Sequence, residues 1–115
     1  MTITLYGIPN CDTVKKARVW LDGHGLPYTF HDYKKSGADA DKIADWIAAL
    51  GLDKVLNRAG TTFRKLPEEV TRDLDTARAI ALMVANPSCI RRPIVEHPAG
   101  LLVGFKPAEW ETALV

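Results

Sequence analysis

The sequence predicts an α/β fold: a four-stranded mixed sheet built as βαβ, then a helical insertion, then ββα. Three observations predict it. The apolar run Ile3-Thr4-Leu5-Tyr6 is broken by Gly7, Pro9 and Asn10 and followed by an amphipathic stretch, which reads as strand, turn and helix. A second alternating stretch, Tyr28 to Tyr33, follows at the spacing of a βαβ unit, so the two strands pair in parallel with a right-handed crossover. Near the other end, two short apolar runs flank His97-Pro98-Ala99-Gly100, as the arms of a hairpin flank its loop.

Taken in order, Thr2 to Gly7 is the first strand. The first helix runs roughly from Thr13 to His24, with Asp12 or Thr13 as its N-cap and Val14, Ala17 and Leu21 on one stripe. Gly23 and Gly25 bracket its end, and Pro27 follows where a helix cannot continue. Tyr28 to Tyr33 is strand two, and Ser36-Gly37 is a turn. Asp39 caps the next helix, whose Ile43, Trp46, Ile47 and Leu50 make a clean i, i+3, i+4, i+7 stripe ended by Gly51. Leu52 to Leu56 reads as a short helical turn and Asn57 to Thr62 as a loop. A further helical patch starts near Pro67, and another runs from about Asp75 to Ala85. Ile94 to Glu96 and Leu101 to Phe105 form the hairpin, and Pro107 opens a closing helix through Ala108 to Leu114.

A chain of 115 residues holds one domain with a modest core, here residues 1–115 with the helical insertion at about 39–86. Its 47% hydrophobic and 25% charged content excludes disorder. A net charge of +1 supplies no positive field, so direct contact with nucleic acid is not expected. No apolar run is long enough to span a membrane, so no membrane partner is expected either. The start of the chain lacks a signal-peptide pattern, and two cysteines without an export signal make the cytoplasm the expected compartment.

Cys11 is the residue from which a function can be read. It stands at the turn between strand and helix, and the unpaired N–H groups and dipole of a helix N-terminus favour negative charge. That setting lowers a thiol pKa and yields thiolate, the form that attacks sulfur, arsenic or carbon. The plain alternative is that a lone cysteine is a small core hydrophobe. Polar Asn10 and Asp12, with Pro9 in the turn, weigh against it.

The order βαβ…ββα with a cysteine after strand one is the pattern of the thioredoxin fold. Three further segments make the resemblance specific: Asn10-Cys11-Asp12-Thr13-Val14-Lys15-Lys16-Ala17-Arg18, Arg58-Ala59-Gly60-Thr61 and Arg91-Arg92-Pro93-Ile94-Val95. With Tyr6-Gly7-Ile8, Phe30-His31-Asp32-Tyr33, Gly60 to Leu66 and Gly104-Phe105, the chain resembles the arsenate reductase (ArsC)/Spx family, most of all its small YffB-type proteins. The resemblance implies that Cys11 is the nucleophilic thiol and that Arg92 lies beside it, holding the thiolate and any oxyanion. It implies that Pro93 is the fold's cis-proline, presenting backbone to the bound sulfur, and that Arg58 is a second anion-binding arginine. Thr13 stands close enough to the helix start to hydrogen-bond the thiolate. Arginine suits these roles because it stays charged and grips carboxylates or oxyanions with two parallel hydrogen bonds. Without the resemblance, Arg91 and Arg92 read as a solvated pair flanking a strand, and Arg64 and Lys65 are alternatives to Arg58.

The chain also departs from the family. Where arsenate reductases carry a third arginine after the last strand pair, Lys106 stands, a point charge without the planar fork. Val14 replaces both the serine usual there in arsenate reductases and the second cysteine usual in Spx regulators, so no C-x-x-C switch is present. Cys89 reads as an apolar filler rather than a resolving thiol. His24, His31 and His97 lack metal-ligand spacing, no metal is expected, and Trp20, Trp46 and Trp110 read as packing residues. The resemblance therefore implies a monothiol reductase with no bound cofactor and glutathione as co-substrate, acting as a monomer on a disulfide or small oxyanion. Two alternatives stand beside it. One is arsenate reduction with glutathione and glutaredoxin; the other is an Spx-like regulator that binds RNA polymerase.

Overall fold

A computed structural model describes residues 2–115. The chain divides into two compact units, one formed by the segment up to Ser36 together with Arg92–Val115, the other by Gly37–Arg91.

The first unit holds the sheet. Strands β1 (Thr4–Gly7), β2 (Thr29–Asp32), β3 (Ile94–His97) and β4 (Gly100–Val103) lie in the order β2-β1-β3-β4. β1 runs parallel to β2 and antiparallel to β3, and β3 is antiparallel to β4. This is the mixed, thioredoxin-like sheet that the sequence predicts. Helix α1 (Asp12–Gly23) makes the crossover between β1 and β2, and the closing helix, Pro107–Leu114, follows β4. Alternation along the strands sends Ile3, Leu5 and Val95 to one face. There they form a buried core with Val14, Ala17 and Leu21 of α1 and Trp110 and Leu114 of the closing helix. Trp110 is anchored further by its indole N–H, which donates to the Gly104 carbonyl at 3.0 Å.

α1 ends at Gly23, with His24 as its C-cap, and the chain leaves through Gly25 at φ +65°, a left-handed conformation natural to glycine. Strand β2 stops one residue sooner than the alternation predicts. The Asp32 carboxylate accepts the Lys34 N–H at 2.8 Å and turns the chain, so Tyr33 opens the short helix α2 (Tyr33–Ser36) instead of ending a strand.

The second unit is helical. α3 (Ala40–Leu50) is capped by Asp39, whose carboxylate accepts the Asp41 N–H at 2.8 Å, and it buries Ile43 and Trp46. α4 (Leu52–Val55) follows Gly51. The stretch read as a loop from Asn57 to Thr62 turns helical at its last two residues, where α5 (Thr61–Lys65) begins. Asn57 accepts the Ala59 N–H on its side chain, and Gly60 then opens the turn of helix. α6 (Glu68–Thr71) has Pro67 at its N-cap, and α7 (Thr76–Ala85) is capped by Asp75, which accepts the Arg78 N–H at 2.7 Å. A 3-10 turn, Pro87–Cys89, leads out, and Leu56 bridges Ile90. The closing helix of the other unit is α8 (Pro107–Leu114). Among the described residues no helix is long and apolar enough to cross a membrane.

Candidate functional site

The β1–α1 turn places a thiol where the sequence puts it, with one change of role. Cys11, not Asp12 or Thr13, is the N-cap of α1: its backbone is extended at φ −86°, ψ 125°, and its carbonyl accepts the first helical hydrogen bond from the Lys15 N–H at 2.9 Å. Its own N–H donates to the Ile8 carbonyl at 3.2 Å, which closes the turn. Cys11 thus holds the position that Ser, Thr, Asp or Asn usually fills, but its side chain makes no capping hydrogen bond.

The tightness of this turn depends on Gly7. A Cβ built there would stand 2.8 Å from Val14 Cγ2, so glycine lets the first turn of α1 lie directly against the end of β1.

Burial, the largest single influence on Cys11, pushes its pKa up. The Val14 and Thr13 N–H groups, then the charge and the hydrogen bond of Arg92, act the other way and together hold it below its ordinary value. Cys11 is half-buried and packs against the core that includes Val14, Ala17 and Leu21 of α1.

Arg92 and Cys11 thus meet within the first unit. Arg92 precedes Pro93 across a cis peptide bond, and the Pro93 carbonyl accepts the Gly104 N–H at 2.9 Å, tying the segment to the end of β4. Pro93 itself is buried. The two neighbouring arginines have separate employments. The Arg91 N–H donates to the Val55 carbonyl at 2.8 Å and its Nε to the Asp53 carbonyl at 3.3 Å, both in the helical unit. Arg58, also in that unit, pairs its exposed guanidinium with the Asp53 carboxylate at 3.4 Å. Lys106, at the N-cap of α8, is exposed and pairs with Glu109 at 3.6 Å.

Thr13 acts on the thiol through its main-chain N–H; its side chain is exposed. Val14, whose side chain marks a departure from the family, supplies the other main-chain donor. The signal for it was available in its place three residues after the cap, since the backbone there serves whatever its side chain is. Cys89 is buried in the helical unit. Trp46 and Trp110 are buried packing residues. The His24 ring stacks on Trp20 at 3.9 Å, and burial pushes the His97 pKa down.

A thiol with a lowered pKa at a helix N-terminus, with an arginine beside it, can as thiolate attack an electrophilic sulfur or a comparable centre, and the arginine can hold the anion that approaches. A family model described as the ArsC family matches residues 6–113. A protein of known structure named YFFB is 55% identical, with a TM-score of 0.95, over 98% of this chain and 99% of its own. An arsenate reductase (ArsC) related protein from Brucella melitensis is 54% identical, with a TM-score of 0.76, over 97% of this chain and 93% of its own. The global transcriptional regulator Spx of Listeria innocua is 30% identical over 109 residues, 93% of this chain and 82% of its own.

Proposed function

Because the chain belongs to the ArsC family, we propose that it is a monothiol reductase that uses glutathione and carries its chemistry on Cys11. The observation that carries this reading is Cys11 at the N-cap of α1, its pKa lowered by the Val14 and Thr13 N–H groups and Arg92 against the opposing push of burial. The thiolate attacks one sulfur of a substrate disulfide, forming a mixed disulfide on Cys11 and releasing the other sulfur as thiolate. A first glutathione thiolate then attacks the Cys11 sulfur and expels the second substrate thiol, leaving glutathione on Cys11. A second glutathione attacks that glutathione's sulfur, which frees the Cys11 thiolate and releases glutathione disulfide. In sum, one disulfide is reduced to two thiols and two glutathiones become one glutathione disulfide.

External thiol is required because position 14, where a local resolving cysteine would stand, is Val14. Arg92 holds the anionic groups of glutathione or substrate near the sulfur, with Lys106 as a further cation on the same unit. The test is turnover of a glutathione mixed disulfide with glutathione as reductant. Cys11→Ser abolishes turnover and Cys89→Ser retains it; full activity in Cys11→Ser overturns the reading. Arsenate supplied in place of the disulfide, with glutaredoxin added, separates the arsenate reductase variant of the same mechanism.

A second reading has its own support in the likeness to Listeria Spx along most of the chain. In it the protein is a regulator that binds RNA polymerase, without a C-x-x-C switch. Retention of the polymerase α subunit by the wild type and by Cys11→Ser alike, with no turnover by either, favours that reading.

A further inference from the structure

Helix α1 carries a guanidinium in line with the thiol. Arg18 follows Cys11 by seven residues, two turns of helix. That interval is about 10 Å along the axis and returns to within about 20° of the same direction around it. Lys15 stands between them on that side and is exposed. The buried residues of α1, Val14, Ala17 and Leu21, define a different side, the one turned to the core. Cys11, Lys15 and Arg18 therefore share one flank of the helix.

The Arg18 guanidinium is built into place. It lies over the Phe30 ring of β2, 4.2 Å from the centroid, and its Nε donates to the Tyr28 hydroxyl at 3.1 Å. Arg18 is half-buried there. Among the described residues no carboxylate pairs with it, Asp22 one turn further along α1 included. The Tyr28 bond uses Nε, which leaves the two terminal nitrogens as the fork that grips a carboxylate end-on. The sheet register gives the level of this group. Phe30 pairs with Leu5, two residues before Gly7, where β1 ends ahead of the turn that holds Cys11. Two strand residues span about 7 Å. Helix and strand thus agree that the guanidinium stands within the length of a short peptide from the thiol.

We propose that Arg18 is a specificity-determining residue whose guanidinium binds a carboxylate of a small peptide thiol while the sulfur of that peptide reacts at Cys11. The inference rests on the reading of Cys11 as the reacting thiol and names a receptor for one end of its substrate. An extended tripeptide reaches about 10 Å. A long side chain on a helix leans toward the N-terminus, which brings the guanidinium nearer the sulfur. The sulfur of glutathione and one of its two carboxylates can therefore span the interval. The Phe30 stack and the Tyr28 bond fix the fork before the anion arrives, so little freedom is lost on binding. Packing alone asks only for the aliphatic stem and a flat group over the ring; it gives no preference for a charged substrate.

The experiment compares two disulfides in a single exchange with the Cys89→Ser protein. In each, the Cys11 thiolate attacks one sulfur, a mixed disulfide forms on Cys11, and the other half leaves as thiolate. Glutathione disulfide carries carboxylates and bis(2-hydroxyethyl) disulfide carries none, so the ratio of their rates reads recognition of the anion and cancels changes in the thiol itself. Arg18→Gln lowers that ratio about tenfold, the loss expected for one charge-assisted pair. Tyr28→Phe, which releases Nε, lowers it in the same direction and serves if Arg18→Gln does not fold. Lys16 is exposed and stands about 140° around α1 from Cys11. Lys16→Gln removes the same charge from there and changes the ratio by less than about twofold, because an exposed, distant charge is screened. An unchanged ratio in both Arg18→Gln and Tyr28→Phe, or an equal fall in Lys16→Gln, overturns the role of Arg18 and leaves the reading of the thiol intact. If the parent protein exchanges with neither disulfide, the reading of Cys11 falls and this inference with it.

Discussion

The Cys11 thiol carries a pH dependence whose sign follows from its setting. Its folded pKa lies below the ordinary thiol value of about 8.5. The thiolate therefore stabilises the fold fully above the unfolded value, and the contribution is lost as pH falls through the folded pKa. Alkylation by iodoacetamide should stay fast below the ordinary thiol range and slow only as pH passes the depressed value; Arg92→Ala should move that fall to higher pH. Another residue makes a separate prediction. Tyr33 is only 3% exposed, and its hydroxyl has no hydrogen-bond partner among the described residues. A buried polar group without a partner costs on the order of 1–3 kcal/mol. Tyr33→Phe should therefore raise stability by about 1 kcal/mol, read as a higher urea midpoint. At this scale Cys11 was legible in the sequence, because a turn between an apolar strand and an amphipathic stretch marks a helix mouth. The Tyr33 hydroxyl was not, because alternation placed Tyr33 in a strand and an Asp32 turn took it out.

Among the elements, the join of β1 to α1 bears the site. Gly7→Ala sets a methyl 2.8 Å from Val14 Cγ2, and such overpacking costs about 1–3 kcal/mol. The first turn of α1 must shift to relieve it, so the Val14 and Thr13 N–H groups move off the sulfur. We expect a lower melting temperature and, in the same variant, a higher Cys11 pKa. In the helical unit, Arg78 ties the α6–α7 connection. Its guanidinium donates to the Arg72, Asp73 and Glu69 carbonyls at 3.3, 3.2 and 2.9 Å, across a segment where Asp73 is left-handed at φ 53°. Because Arg78 is exposed, Arg78→Ala should cost only about 1 kcal/mol, read as a lower urea midpoint. Lysine there should recover little, since one ammonium cannot serve three carbonyls held in a fork. The α3 stripe and the Asp39 cap were readable from the sequence alone, as was a helix starting near Asp75. α5 was not, because a single turn opening after glycine has too few residues to show a period.

Across the whole molecule, the sheet unit is assembled from both ends of the chain, and Trp110 shows what that demands. It is fully buried, meets Trp20 and Phe105 edge-on at 5.6 and 4.9 Å, and closes the core over Leu5 and Val95. Trp110→Ala should cost about 3–5 kcal/mol, a large share of the ~5–15 kcal/mol that holds a domain together. Denaturant unfolding should show its midpoint fall sharply. The period-two and period-3.6 patterns, the turn residues and the caps were sufficient for the strand and helix order, the parallel first pair, the final hairpin and the thiol at the helix mouth. Each of these depends on neighbours a few residues apart, and a linear pattern records such relations. The pairing of β1 with β3, the parting of Arg91 from Arg92, and the meeting of Arg92 with Cys11 had to wait for the folded chain. They join residues tens of positions apart in the chain, and contacts at such separations are set by how sheet, crossover and cis-proline segment pack, which leaves no periodic trace in the sequence.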